Sequence, residues 1–183
     1  MFVYILWCFW AGALYTLDIV AAALWINVSW FGAAVYFFGI APGTAIDWFL
    51  PRKYAENKAT AKLYQTVKCA TIFLGGINSS LLLLSSMMLL HHGQLFVQAT
   101  EQRILFLVMA SAHGSQFVIN VPSALQRSGI FPNSLMVRLL HPLGFTPADV
   151  EWNKPDDMMH AIFLGDAMTF ALNTYVALAR AGV

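Results

Sequence analysis

The chain has 183 residues, of which 59% are hydrophobic and 10% are charged, and its formal net charge is +1. Soluble domains usually carry about a quarter charged residues, so this composition excludes a water-soluble globular protein and predicts an outer surface that mostly faces hydrocarbon. The small net charge supplies no strong field to attract nucleic acid, so the expected partners are membrane lipids and other membrane-protein subunits.

The apolar runs predict one all-α domain over residues 1–183, a polytopic transmembrane helical bundle of about five spans. The first run is too long for a single crossing. The polar group Asn27-Val28-Ser29 predicts a turn that divides it into spans at about residues 2–26 and 30–50. Pro42 is expected to kink the second of these spans. The polar stretch from Pro51 to Lys68 then predicts an extramembrane loop.

Three further apolar runs predict spans at about residues 69–91, 104–122 and 158–180, the middle one ending at Pro122. The last span opens on Asp156 and Asp157 and closes on Arg180, charges that favour the two ends of a helix dipole. Short interfacial helices are predicted in the connector at residues 123–157, where the apolar residues Leu135, Met136, Leu139 and Leu140 share one helix face.

Basic residues are distributed unequally between the two sides of this five-span arrangement. Only Arg103 and Arg180 lie on one side, and the other eight Lys and Arg residues of the chain lie on the other. The positive-inside rule then predicts the N-terminus and both long loops on the cytoplasmic, matrix or stromal side, with the C-terminus opposite. The expected location is an organelle or energy-transducing membrane.

Polar side chains within the predicted spans form the candidate functional site. Ionisable residues inside a membrane are costly, so they usually point inward and find a partner. His113 is therefore expected to pair with Asp166 or Asp18, all three lying near the middle of predicted spans. Residues at helical spacing predict a polar seam between helices, composed of Asn78, His113, Gln116, Asn120, Asp166, Thr169 and Asn173.

Two interpretations of this seam remain open. The first is structural, because interhelical hydrogen bonds fix the register of membrane helices. The second is a site for a lipid, another hydrophobic small molecule or a proton, in which His113 acts as acid and base and Asp166 orients it. The catalytic candidates are then His113, Asp166 and Asp18, although the chain carries no short catalytic motif.

The positions of the five histidines limit the cofactor hypotheses. His113 is central in the membrane, whereas His91 and His92 are expected at its outer edge and His141 and His160 at or near its inner edge. No second histidine matches the depth of His113, which disfavours a haem held by two intramembrane histidines. A pigment bound through His113 as a single ligand stays open, as does a bound lipid. No metal site is predicted, since His91 and His92 have no carboxylate or cysteine beside them.

The order Phe38-Gly-Ile-Ala-Pro42, a polar linker and a glycine-containing helix resembles small four-helix membrane proteins of the DoxX type. That resemblance implies a compact bundle and little about activity. The leading functional hypothesis is a non-catalytic accessory or scaffold subunit of a larger membrane complex of respiratory or photosynthetic type. The alternative is a small membrane enzyme or carrier that acts on a lipid or hydrophobic small molecule through the polar seam.

Overall fold

The computed structural model describes residues 18–49, 62–91, 95–127 and 157–179. These residues are almost entirely helical, and none of them forms a β-strand, so the predicted all-α bundle is confirmed. Five helices follow one another in the described parts: α1 (Ile19–Ile40), α2 (Pro42–Phe49), α3 (Lys62–Leu90), α4 (Ala99–Arg127) and α5 (Asp157–Ala179).

Helix α1 begins at a side-chain cap and continues without a turn. Asp18 has extended backbone angles, and its Oδ1 accepts hydrogen bonds from the backbone N–H groups of Val20 and Ala21, both at 2.9 Å. The helix then passes straight through Asn27-Val28-Ser29, so the predicted turn at that point is wrong. A helix satisfies its own backbone hydrogen bonds in lipid, so the backbone at this point needs no turn. The side chain of Asn27 needs none either, because it finds polar partners on other helices.

The end of α1 differs from the kinked span predicted at 30–50. Residues Val35–Ile40 widen into a π-helix, Ala41 leaves helical geometry, and Pro42 opens the separate short helix α2. Proline disfavours helical angles in the residue before it and supplies no N–H, so the chain breaks at this point. The described boundaries are thus 19–40 and 42–49, and residues 2–17 of the first predicted span lie outside the described part of the chain.

Helices α3 and α4 extend beyond their predicted ends. Helix α3 starts at Lys62 and includes Lys68, because a helix satisfies its own backbone hydrogen bonds and can continue beyond the end of an apolar run. Helix α4 starts at Ala99 and continues past Pro122 to Arg127. Pro122 lacks a backbone N–H donor but does not end the helix, and membrane helices often tolerate a proline in their interior.

Among the residues that the structure describes, three helical segments are long and apolar enough to cross a membrane: Ile19–Ile40, Tyr64–Leu90 and Ala161–Ala179. They fit an integral membrane protein. Helix α5 agrees with its predicted span to within a residue at each end. The predicted interfacial helices of the connector at 123–157 lie almost wholly outside the described residues.

Helices α1 and α3 pack antiparallel through glycine. The positions that approach each other are Gly32 with Leu82 and Gly39 with Gly75, so one helix rises as the other descends. A Cβ built on Gly75 would lie 2.6 Å from both the Cα and the N of Gly39, closer than any real contact. Only a residue without a side chain permits this approach of two backbones.

Helices α4 and α5 also pack antiparallel, as the contacts of Phe117 with Phe163 and of Gly114 with Phe170 show. The C-terminal ends of α1 and α4 therefore lie at the same end of the bundle as the N-terminal ends of α3 and α5. Towards the opposite end is an apolar cluster drawn from four helices: Val20, Ala23, Leu24, Met88, Phe106, Met109, Val176 and Ala177. Between the two ends lies a set of buried polar side chains.

Candidate functional site

Polar side chains from three helices meet inside the bundle, near the middle of each helix. Helix α1 contributes Asn27 and Trp30, α4 contributes His113, and α5 contributes Asp166, Thr169 and Asn173; we call these six residues the polar centre. Asn27, His113, Asp166, Thr169 and Asn173 have no exposed surface. In such surroundings each polar atom needs a protein partner or a trapped water.

A reciprocal amide pair joins α1 to α5. Asn27 Nδ2 donates to Asn173 Oδ1 at 2.8 Å, and Asn173 Nδ2 donates back to Asn27 Oδ1 at 3.2 Å. Each Nδ2 also donates to a carbonyl one turn earlier in its own helix, that of Ala23 or of Thr169, at 2.8 Å. Because those carbonyls only accept, they fix which end of each amide is nitrogen and which is oxygen.

The imidazole of His113 lies between two oxygen atoms from different helices. Its Nε2 is 3.0 Å from Asn27 Oδ1 on α1, and its Nδ1 is 3.3 Å from Asp166 Oδ1 on α5. The ring stacks on Phe31, with centroids 4.8 Å apart and planes 19° from parallel. His113 therefore connects all three helices of the polar centre.

Asp166 receives a second donor from α1. The indole Nε1 of Trp30 donates to Asp166 Oδ1 at 2.9 Å. The indole reaches this position because residue 165 is glycine: a Cβ there would overlap the six-membered ring of Trp30. The other carboxylate oxygen, Oδ2, is buried and has no hydrogen-bond partner among the described residues.

This arrangement determines what His113 can do chemically. Both ring nitrogens already face an oxygen atom, and the side chain is sealed from the surface. A pigment metal bound to His113 would have to displace one of these two contacts, and the single-ligand hypothesis stays a prediction. The centre can transmit or hold a proton, and it can bind helices together, because both need only the contacts already made.

The structure unites part of the predicted seam. His113 contacts Asp166 directly and is linked to Asn173 through Asn27, and the Thr169 carbonyl accepts from Asn173. The Thr169 hydroxyl itself donates to the carbonyl of Gly165 in its own helix, at 2.7 Å.

Other predicted residues lie elsewhere. Asp18 caps the start of α1 and is not the partner of His113, because the helix begins where the sequence predicted its middle. Asn78 is buried on α3, where its Nδ2 donates to the Leu74 carbonyl of the same helix at 2.9 Å. Gln116 is partly buried one turn from His113, and the side chain of Asn120 lies outside the described part of the chain.

Two members of the polar centre, Asn27 and Trp30, were not predicted. Asn27 was assigned to a turn, which placed Trp30 at the very start of the second predicted span and not inside the same helix as Asn27. A signal for both was present: Asp18 is a favourable N-cap followed by an uninterrupted apolar run, which places Asn27 and Trp30 at neighbouring positions inside one helix. The error in the prediction was therefore the position at which this helix begins.

Within the described ranges, no group of three or more His, Cys, Asp or Glu side chains is placed to hold a metal ion. His91 follows the end of α3 and is exposed, whereas His113 is buried in the polar centre. The side chains of His92, His141 and His160 lie outside the described residues.

Comparisons with models of protein families, with curated proteins and with solved structures give no match to this chain. Its function must therefore be argued from the polar centre and the surface of the bundle.

Proposed function

We propose that the protein is a non-catalytic, multi-pass subunit of a larger membrane complex, and that the polar centre holds its helices in register. The single observation that carries this proposal is the closure of the centre. Its polar side chains bond mainly to one another or to their own backbone, and the five that are fully buried offer no surface to a substrate. Such a centre is suited to defining a rigid scaffold.

The surface of α3 supports the same proposal. Only 22% of its most apolar window is buried within the chain, and Phe73, Leu83 and Leu90 are 70%, 62% and 80% exposed. Hydrocarbon or an apolar face of a neighbouring subunit must cover these side chains. A helix that contributes so little to its own bundle is well placed to contact another protein.

Topology completes the proposal. Both long loops, at residues 50–61 and 128–156, face the cytoplasm, matrix or stroma, and Asp18 at the start of α1 lies on the opposite side together with the end of α5. Antiparallel packing supports the shared side of the two loops, because the chain leaves and re-enters the same end of the bundle at both. The excess of basic residues in these loops supports their orientation.

Native electrophoresis tests the assignment to a complex. The full chain, tagged and extracted from its own membrane in mild detergent, should migrate in a discrete band much larger than the monomer. With Cys8 and Cys69 replaced by serine, because Cys69 is an exposed free thiol, Phe73→Cys should then crosslink to another protein with a short thiol reagent, whereas Ala23→Cys, at a fully buried position, should not. Migration as a free monomer, with no crosslink from Phe73→Cys, contradicts the proposal.

One specific observation favours a second candidate, an enzyme or carrier that handles a lipid or hydrophobic small molecule. Asp166 Oδ2 is an unsatisfied carboxylate oxygen beside a histidine, a pairing that acid–base chemistry commonly uses. Lipids that copurify with the wild-type protein should be lost or altered in His113→Ala and Asp166→Asn if this candidate is correct. Unchanged lipid content in folded variants excludes it.

A further inference from the structure

The hydrogen-bond directions in the polar centre determine where its protons lie. Asn27 Nδ2 must face the carbonyl of Ala23, so Asn27 Oδ1 is the atom that faces His113. Because an amide oxygen only accepts, the 3.0 Å contact requires a hydrogen on His113 Nε2. The amide pair of Asn27 and Asn173 thus selects the protonated form of this ring nitrogen.

The other ring nitrogen, His113 Nδ1, faces Asp166 Oδ1, and this contact also requires a hydrogen between the two atoms. His113 Nδ1 and Asp166 Oδ1 are 3.3 Å apart, and Trp30 donates to the same oxygen. A contact between two bare lone pairs would be repulsive. One proton therefore belongs to this contact, either on Nδ1 as an imidazolium–carboxylate pair or on Oδ1 as a neutral imidazole with a carboxylic acid.

Charge neutrality supports the same proton count. Both forms have no net charge, whereas removing the proton leaves a carboxylate alone and adding a second leaves an unpaired imidazolium. An isolated charge inside a membrane is costly by about 3 kcal/mol or more. Among the described residues, His113 is the only ion-pair partner of Asp166, and the other side chains of the polar centre are uncharged.

The aromatic contacts suit a ring that carries positive charge. Phe31 lies flat against the imidazole at 4.8 Å, so the electron-rich ring face meets the site of the charge. The Trp30 ring is tilted at 60° with its centroid 6.5 Å away. These rings pack against the imidazole while both of its nitrogens keep their oxygen partners.

We infer that His113 and Asp166 form a membrane-buried proton-binding site, which holds one proton between Nδ1 and Oδ1 while His113 Nε2 stays protonated against Asn27. The ligand is a proton, and Asp166 Oδ2 is the acceptor that remains for an exchanging proton or for a water molecule that delivers it. Asn27 is the positioning residue, since it selects which ring nitrogen takes part in exchange. This site goes beyond the scaffold role and does not depend on any partner subunit.

Nitrogen NMR of the full chain, labelled with ¹⁵N-histidine and reconstituted in lipid at neutral pH, tests the inference. The His113 signals are identified as those that His113→Gln removes. The Nε2 signal should be that of a protonated nitrogen. The fraction of Asp166 that is protonated is read from the infrared carboxyl band that Asp166→Asn removes, and this fraction should equal the fraction of Nδ1 that is unprotonated. An unprotonated Nε2, or a total of no protons or two protons on Nδ1 and Asp166, overturns the inference.

A variant pair tests the role of Asn27. Asn27→Leu removes the acceptor from Nε2, so a neutral form with the ring hydrogen on Nδ1 and the second proton on Asp166 Oδ2 should become populated. Ser29→Ala should leave the His113 signals unchanged, because the Ser29 hydroxyl donates to the Trp25 carbonyl of its own helix at 2.9 Å and makes no contact with His113 in the described part of the chain. If Asn27→Leu folds and keeps the wild-type signals, the amide does not select the protonated nitrogen. If it fails to fold, the wild-type spectra alone decide.

Discussion

The amide pair between Asn27 and Asn173 permits a quantitative test of the polar centre. Asn27→Leu removes three interhelical hydrogen bonds, two to Asn173 and one from His113 Nε2. Interhelical hydrogen bonds in membranes average about 0.6 kcal/mol and reach about 1.7 kcal/mol, so the free energy of unfolding should fall by about 2 kcal/mol and by at most about 5 kcal/mol. Asn173→Leu removes two interhelical hydrogen bonds, both to Asn27, and should lower the free energy of unfolding by about 1 kcal/mol.

The double variant separates pairwise bonding from general disruption. Asn27→Leu with Asn173→Leu loses the same three bonds as Asn27→Leu alone, so its destabilisation should be smaller than the sum of the two single values. The difference should be about 1 kcal/mol, the combined value of the two shared bonds at the membrane average. Residues in direct contact commonly show coupling of this size.

Reversible unfolding in mixed micelles of a mild detergent and dodecyl sulfate, followed by circular dichroism, supplies the measurement. Ser29→Ala is the matched control on the same helix, since its hydroxyl bonds only to its own backbone, and its effect should stay within about 0.5 kcal/mol. Additive effects of the two leucine substitutions would show that these side chains do not pair, and the reasoning about the polar centre would fail.

Three further predictions concern the packing and orientation of the helices. Gly75→Ala should lower the free energy of unfolding by about 1–3 kcal/mol, because the added Cβ meets the backbone of Gly39. Gly76→Ala adds a Cβ to open space and should change that free energy by less than about 0.5 kcal/mol. Equal values for the two variants in the same unfolding assay would refute the close helix crossing. Gly165→Ala should displace the Trp30 indole from Asp166 and reduce stability by about 1–3 kcal/mol, with a shift in the emission that Trp30→Phe removes; an unchanged spectrum would contradict the contact. A reporter fused to the C-terminus should be active only on the side opposite the two basic loops, and activity on the same side would refute the assigned topology.

The sequence alone determined the class of fold, because composition and apolar run length depend on the solvent and not on the arrangement of the chain. It also determined α5 to within a residue at each end and predicted that His113 would meet Asp166 or Asp18. That pairing followed from the high cost of an unpartnered ionisable residue in lipid, a cost that any arrangement of these helices must avoid.

Only the tertiary structure decided which polar residues share one site. The sequence predicted Asn27 in a turn and Asp18 at mid-membrane. In the structure Asp18 caps the start of α1, and Asn27 lies inside that helix. A polar residue in an apolar run is compatible with a turn or with an inward-facing helix position, and the two differ only in whether another helix supplies a partner. For Asn27 that partner is Asn173, 146 residues later in the chain, and local periodicity carries no information about so distant a contact.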